Sequence, residues 1–436
     1  MSIGKQFLSA ALTQGSVTKF LEYGPIDHLF KANEIECYSF ISSFVKQYQK
    51  LPAESTVEAH CNDELVKHVE PMDYYYDLMS LRYMELEVKQ TAKKATDLLL
   101  PEKKDPLAAV QMLMDGAVQV MARRERRQIL DFRNAYDLVV SHYVSKFKGE
   151  EKPGLMLGWP YLDEMTGGIV PGDVLSFVGR PGQGKTWQML YSAHYGWDRS
   201  GQMLLNALSA AGSDMQAQPV HHQSRLFLSM EMAQLPIQQR LASMQAHIPA
   251  KDLKLLNLAT PQFKKLKDGL TEIKGYGAPF WVVDGNLTST VEDLWMLVRM
   301  LNPDATFVDG AYMLKHPTEK DRFKRAAENC ELLKQIIAPI CPVAASWQFA
   351  KKKNSGKKKD EKQDLDDIGY TDAIAQISTI VLALLQKESI ETVISRIIDV
   401  LKGRSGEVGQ FETNWRFDTM DFTQILPTAL AELSFL

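Results

Sequence analysis

Cysteine is scarce in this chain, with four in 436 residues. Cys37, Cys61, Cys330 and Cys341 are scattered with no CxxC pair, so their spacing fits neither a zinc site nor a disulfide framework and points to a reducing compartment. Net charge is scarce too. Fifty basic residues against 54 acidic ones leave a formal charge of -4, so no basic excess advertises nucleic acid, and any such binding must come from local patches. No apolar run reaches membrane-spanning length, and the opening MSIGKQFLSAALTQG has no secretory core, which makes the expectation cytoplasmic with no membrane contact. Internal repeats are missing as well. His221 and His222 are adjacent but lack further ligands at metal spacing, and they read as polar loop residues.

Apolar residues are plentiful, and 45% hydrophobic content over 436 residues is enough for more than one core. From Gln6 to about Leu100 the stretches FLSAAL, YSFISSFVKQYQK and YYYDLMSLRYMELEVKQ repeat apolar positions at three and four, the helical spacing. After Pro101 and Pro106 the pattern resumes in LAAVQMLMDGAVQVMARRERR, giving an α-helical N-terminal domain over 1–122. A linker region follows over 123–150. There Tyr136, Val139, Val140, Tyr143 and Phe147 fall on one face of a helix that packs either on its own domain or on a neighbouring copy.

Over 151–436 the pattern changes to an α/β domain with a mostly parallel sheet. DVLSFVG, RLFLSME, PFWVVDG, TFVDG, PVAASWQ, STIVLALL and ISRIIDVL are short and nearly continuous in apolar residues, as strands covered on both faces require. NALSAAGSDMQAQPVHHQS, residues 206–224, is small, polar and aperiodic, and is expected to be a surface insertion.

The chemistry centres on GRPGQGKTW. Gly179, Arg180, Pro181, Gly182, Gln183, Gly184, Lys185, Thr186 and Trp187 lie between an apolar strand and a helical run, and the Gly179 to Thr186 spacing is that of a phosphate-binding P-loop. Its glycines let backbone N–H groups curl around phosphates, Lys185 supplies a point charge, and the Thr186 hydroxyl suits Mg²⁺. ATP and Mg²⁺ are the expected ligands. Hydrolysis also needs a carboxylate at the metal and a group to orient water, both at strand ends. Asp309 and Asp284 both end apolar strands and compete for the metal. Glu231 is the candidate for water, or else a surface helix-capping acid, and Gln348 ends a strand expected between those carrying Lys185 and Asp309.

These stretches resemble the DnaB family of replicative helicases. The resemblance starts at LGWPYLDEMTGGIVPGDVLSFVGRPGQGKT and continues in FLSMEM, FVDGAYML, SWQFAKK and LKGRSGEVG, with the N-terminal region similar more weakly. It implies a RecA-type motor in which Glu231 is the catalytic glutamate, Asp309 rather than Asp284 the metal-side acid, and Gln348 a γ-phosphate sensor. By the same resemblance Lys402 and Arg404 are cations inserted into the next subunit's site. Two departures stand out. Gly310 occupies the family's tyrosine position, with Tyr312 displaced by two, and Trp347 intrudes before Gln348.

The family's DNA-loop motif corresponds to 367–372, including Gly369, Tyr370 and Asp372, and has lost its arginine. Close by, AKKKNSGKKKDEKQD carries Lys351, Lys352, Lys353, Lys357, Lys358 and Lys359, either a solvated loop or a charged lining for a single strand. The resemblance implies a homo-hexameric, ATP-dependent DNA helicase that translocates on single-stranded DNA. With no cysteine pattern for a fused zinc-ribbon primase, primase and helicase loader are expected as separate partners. A filament-forming RecA-like recombination ATPase and an ATP-gated DNA-binding or loader module remain alternatives.

Overall fold

The structure, a computed structural model, describes residues 2–14, 16–24, 26–61, 70–100, 102, 104–122, 132, 135–148, 154–210, 221–285, 290–348, 371–385, 394–404, 406 and 408–426. The chain divides into two units, Met1–His142 and Tyr143–Leu436.

The first unit is helical, with α1 (Ile3–Gln14), α2 (Val17–Glu22), α3 (Ile35–Tyr48), α4 (Glu54–Cys61), α5 (Met72–Leu98) and α6 (Pro106–Ala122). The helical spacing places Phe7, Leu8, Ile41, Met72 and Met79 inward, where all are sealed from water. Burying each such side chain contributes about 1.5–3 kcal/mol. At one edge of this core lies Glu34, fully buried. Arg82 donates to both its oxygens at 3.1 and 2.8 Å, the backbone N–H groups of Lys31 and Gly4 donate at 2.8 and 3.3 Å, and the Ser2 hydroxyl donates as well. Burial alone would raise the Glu34 pKa, but Arg82, Lys31 and Ser2 outweigh it and hold the group at about 2.

Cysteine spacing argues against any disulfide, yet Cys37 on α3 and Cys61 at the end of α4 are paired, with Cα atoms 5.7 Å apart. Packing of α3 on α4 brings together residues 24 apart, which linear spacing does not report. Helix α7 (Ala135–Phe147) carries the apolar face expected of the linker. Tyr136, Val139, Val140, Tyr143 and Phe147 are all exposed, Phe147 at 83%.

The second unit is built on an eight-stranded sheet. In chain order it contains α8 (Pro160–Thr166), β1 (Val174–Gly179), α9 (Lys185–Ala210), β2 (Arg225–Ser229), α10 (Gln234–Ala246), α11 (Ala250–Leu255), α12 (Thr260–Glu272), β3 (Phe280–Asp284), α13 (Val291–Leu301), β4 (Ala305–Asp309), α14 (Arg322–Leu332), β5 (Val343–Gln348), α15 (Thr371–Ile377), β6 (Ile380–Leu385), β7 (Ser395–Lys402) and β8 (Gly409–Asn414). Across the sheet the order is β3-β2-β4-β5-β1-β6-β7-β8. The first six of these are mutually parallel, while β7 and β8 run antiparallel to their neighbours. Burial follows the pairing. Strands β1, β2 and β4 are buried at every position, whereas on β7 only Ile398 and Val400 are.

Two sequence expectations change here. Strand β8 is GQFETN, an alternating polar edge that carries no apolar run, and the sequence reading does not anticipate it. The 206–224 segment is not wholly a surface insertion, because α9 continues as helix through Ala210; 211–220 lies outside the described residues. His222 is also more than a polar loop residue. Its Nδ1 accepts the Ala278 N–H at 2.9 Å and its ring meets Tyr276 edge-on at 5.5 Å, and burial pushes its pKa down.

Candidate active site

The parallel strands all end on one edge of the sheet, and chain connections diverge there. From β1 the chain crosses to β2, three positions away, while β5 and β6 flank β1 on either side. Such a switch point leaves a crevice at the carboxyl ends of the strands. The P-loop spans it, from Gly179 at the end of β1 to Lys185 at the start of α9. Gly182 and Gly184 take φ of +78° and +93°. At Gly184 a side chain is excluded twice, by this left-handed backbone and by the Trp415 ring, into which a Cβ would run. The Gln183 side chain folds back to accept the Arg180 N–H, closing the loop on itself, while Arg180, Pro181 and Gly182 stay exposed.

Lys185 is buried and donates to the carbonyls of Gly179 and Arg180, both at 3.1 Å. Burial lowers its pKa and the charges of Glu231 and Asp309 oppose that shift, which places both acids at this lysine. Asp284 belongs to a more distant strand. Its strand β3 is the outer edge, four positions from β1, whereas β4 with Asp309 is two away.

Asp309 is 1% exposed. Ser346 donates to its Oδ1 at 2.9 Å, and Oδ2 is buried without a hydrogen-bond partner. Burial pushes its pKa up against the opposing effects of Thr186 and Ser346, and the Glu231 charge pushes it further. A buried carboxylate oxygen lacking a donor, beside a hydroxyl, is the chemistry of a hard cation site. Among the described residues no three His, Cys, Asp or Glu cluster as metal ligands. A cation here would therefore be completed by water and phosphate oxygens, as Mg²⁺ prefers.

Glu231 lies two residues past β2, in the turn held by Met230 N–H donating to Asp309 O at 2.8 Å. Gly310 follows Asp309 with φ +84°, and a Cβ there would stand 3.0 Å from Glu231 Cγ. Glycine at the family's tyrosine position therefore admits Glu231 to the site. Gln348 ends β5, between β4 and β1 as expected. Sequence reasoning notes Tyr312 only as a displaced tyrosine. Its hydroxyl donates to Glu231 and accepts from Gln348 Nε2, which itself lies 3.5 Å from Glu231 Oε1. The other residue missed is Arg240 on α10, whose guanidinium sits 4.3 Å over the Trp187 ring and feels the charges of Asp309 and Glu231. Trp187 itself packs on Phe422 and Phe417, so its side chain belongs to an aromatic cluster beside the loop.

Lys402 and Arg404 stand elsewhere. Because β7 runs antiparallel to β6, its end pairs with the start of β6, Lys402 opposite Val381. Arg404 binds Asp173, just before β1, through Nε at 3.2 Å and through a second nitrogen, and Lys402 Nζ donates to the Ala375 carbonyl of α15 at 2.6 Å. Arg404 therefore sits at the opposite edge of the sheet from its own P-loop, about 20 Å away along six-residue β1, while Lys402 reaches from mid-sheet toward the end of α15. Of the expected DNA contacts, Asp372 falls in the first turn of α15. Lys351, Lys352, Lys353, Lys357, Lys358, Lys359, Gly369 and Tyr370 lie outside the described residues.

A P-loop at the switch point of a mostly parallel sheet, with an acid on the second strand over, defines a RecA-type nucleotide-hydrolase fold. The family model described as the DnaB-like helicase C terminal domain matches residues 154–424, more than half of the chain, and the chain belongs to that family. Among solved structures, a DnaB-like replicative helicase described with its interactions with primase aligns at TM-score 0.58 and 16% identity, covering 97% of this chain and 99% of its own. A second solved structure, described as an ATPase domain, aligns at TM-score 0.54 and 19% identity, covering 67% of this chain and 99% of its own. At such identities the likeness is one of fold. No curated protein sequence matches the chain. No helix among the described residues is long and apolar enough to cross a membrane.

Proposed function

We propose that this chain is a ring-forming, ATP-dependent DNA helicase acting in replication, a homo-hexamer that moves along single-stranded DNA. The observation that carries the reading is the convergence of Lys185, Asp309 and Glu231 at neighbouring strand ends, with Gln348 between them, the set that nucleoside triphosphate hydrolysis requires. The P-loop N–H groups and Lys185 bind the phosphates, and Thr186 and Asp309 hold Mg²⁺. Bound there, the cation would supply positive charge against the charge that develops on the phosphate. Glu231 accepts a hydrogen bond from the attacking water, and Gln348 reads the γ-phosphate.

Two features support a ring. Arg404 lies too far from its own P-loop to serve it, which suits insertion into a neighbour's site. The exposed apolar face of α7 suits docking on that neighbour. The lysines of 351–359 supply positive charge for the strand backbone. Primase and loader would be separate partners, and the compartment cytoplasmic. Imaging the protein with a non-hydrolysable nucleotide and forked DNA tests this. Closed six-membered rings on one strand are expected, whereas filaments would assign a recombination ATPase, and single copies a loader-like module.

A further inference from the structure

Both groups that hydrolysis would need at the γ-phosphate are committed to a third side chain. Tyr312 donates to the Glu231 carboxylate, and Gln348 spends its amide on the Tyr312 oxygen, with Glu231 Oε1 within 3.5 Å. Tyr312 is well placed for this. It is only 8% exposed and sits on the tight turn Ala311–Met313 directly after the metal-side acid, with the Arg322 guanidinium 5.8 Å from its ring. The left-handed residue opening that turn, Gly310, is the one that lets Glu231 approach. Burial, and then the bond to Glu231, push the Tyr312 pKa up, so the phenol remains a donor across the working pH range.

We infer that Tyr312 is a positioning residue that clamps the water-orienting Glu231 to the sensor Gln348 and holds both away from the reaction until the strand engages. The inference rests on the reading of this chain as a DNA-stimulated ATPase. The lever is β5, whose last residue is Gln348. Drawing Gln348 away removes the donor to the Tyr312 oxygen, weakens the grip of Tyr312 on Glu231, and frees the carboxylate for water. A hydrogen bond to an ionised group is strong enough to suppress turnover by a measurable factor and weak enough to be exchanged during each cycle.

The test is steady-state ATP hydrolysis by the full chain with Mg²⁺, with and without a thymidine oligonucleotide, for wild type and Tyr312→Phe. Losing one hydrogen bond to a charged acceptor should raise DNA-free kcat about tenfold, leave KM for ATP within about twofold, and reduce the stimulation ratio by about tenfold. Tyr312→Met, which fills similar space without a hydroxyl, should do the same. A ratio unchanged in Tyr312→Phe, or kcat lowered equally with and without DNA, overturns the clamp. So does loss of the folded thermal transition in both variants, which would make the hydroxyl a structural strut. Wild type that hydrolyses no ATP, or shows no stimulation, overturns the functional reading itself, an outcome distinct from stimulated wild type with an unaltered variant.

Discussion

Glu34 in the helical unit and Asp309 in the sheet unit are both sealed from water, at 0% and 1% exposure, yet their surroundings are opposite. Four residues donate to Glu34, whose oxygens are both satisfied, and its pKa falls to about 2. Asp309 is met by two hydroxyls, those of Thr186 and Ser346, and burial still pushes its pKa upward. The first is a lock complete within one chain. The second is held charged against burial by fewer donors, which is the setting a bound cation would favour. Incompleteness at a strand end is what separates a candidate site from a structural charge.

The largest break in this contrast should come from Arg404, because the ATP site is proposed to need a cation from another copy. Arg404→Ala should lower DNA-stimulated hydrolysis by about 10³ to 10⁵, or ~4–7 kcal/mol, while a fluorescent nucleotide still binds. Near-normal turnover in an intact ring would place the site within one chain. Next is Glu231→Gln, which keeps the cradle and removes the proposed water-orienting carboxylate. Turnover should fall by about two to four decades, ~3–5 kcal/mol, measured in the same assay.

The self-contained lock should respond in stability instead. With the Glu34 pKa moved from 4.5 to about 2, its ionised form contributes about 3 kcal/mol. The depressed pKa fixes the sign: this stability is fully present above about pH 4.5 and is lost as pH falls toward 2. Glu34→Gln should therefore lower the denaturant midpoint of the helical unit at pH 7 and flatten its acid dependence between those limits. ATP turnover per folded molecule should not change.

Much of this contrast was legible from sequence where it is local. A strand, a glycine-rich turn and a helix are contiguous, so the P-loop could be read directly, and the strand-ending acids followed from β-branched runs. Choosing Asp309 over Asp284 needed the family or the sheet order, since both stretches end in Val-Asp and differ only in which strand lies nearer β1. Tyr312 was visible but its partners were not, because a left-handed Gly310 reorients the turn that carries it. Arg404 was legible as a cation, but its position at the far edge follows from β7 running antiparallel, which no local pattern specifies. Strand β8 escaped because its polar alternation lacks an apolar run. Glu34 gave no signal, its partners lying up to 48 residues away.

The central claim, that Asp309 is a cation site left incomplete by the chain itself, is tested most directly by thermal unfolding of wild type and Asp309→Asn, each with EDTA, with a non-hydrolysable nucleotide, and with that nucleotide plus Mg²⁺. Because its surroundings disfavour the ionised form, neutralising Asp309 should leave the metal-free protein as stable as wild type or more stable by about 1 kcal/mol. The extra stabilisation that Mg²⁺ gives the wild-type nucleotide complex should be lost in the variant. An Asp309→Asn protein that is less stable than wild type by more than about 1 kcal/mol in EDTA, or that keeps the full Mg²⁺-dependent shift, would contradict it.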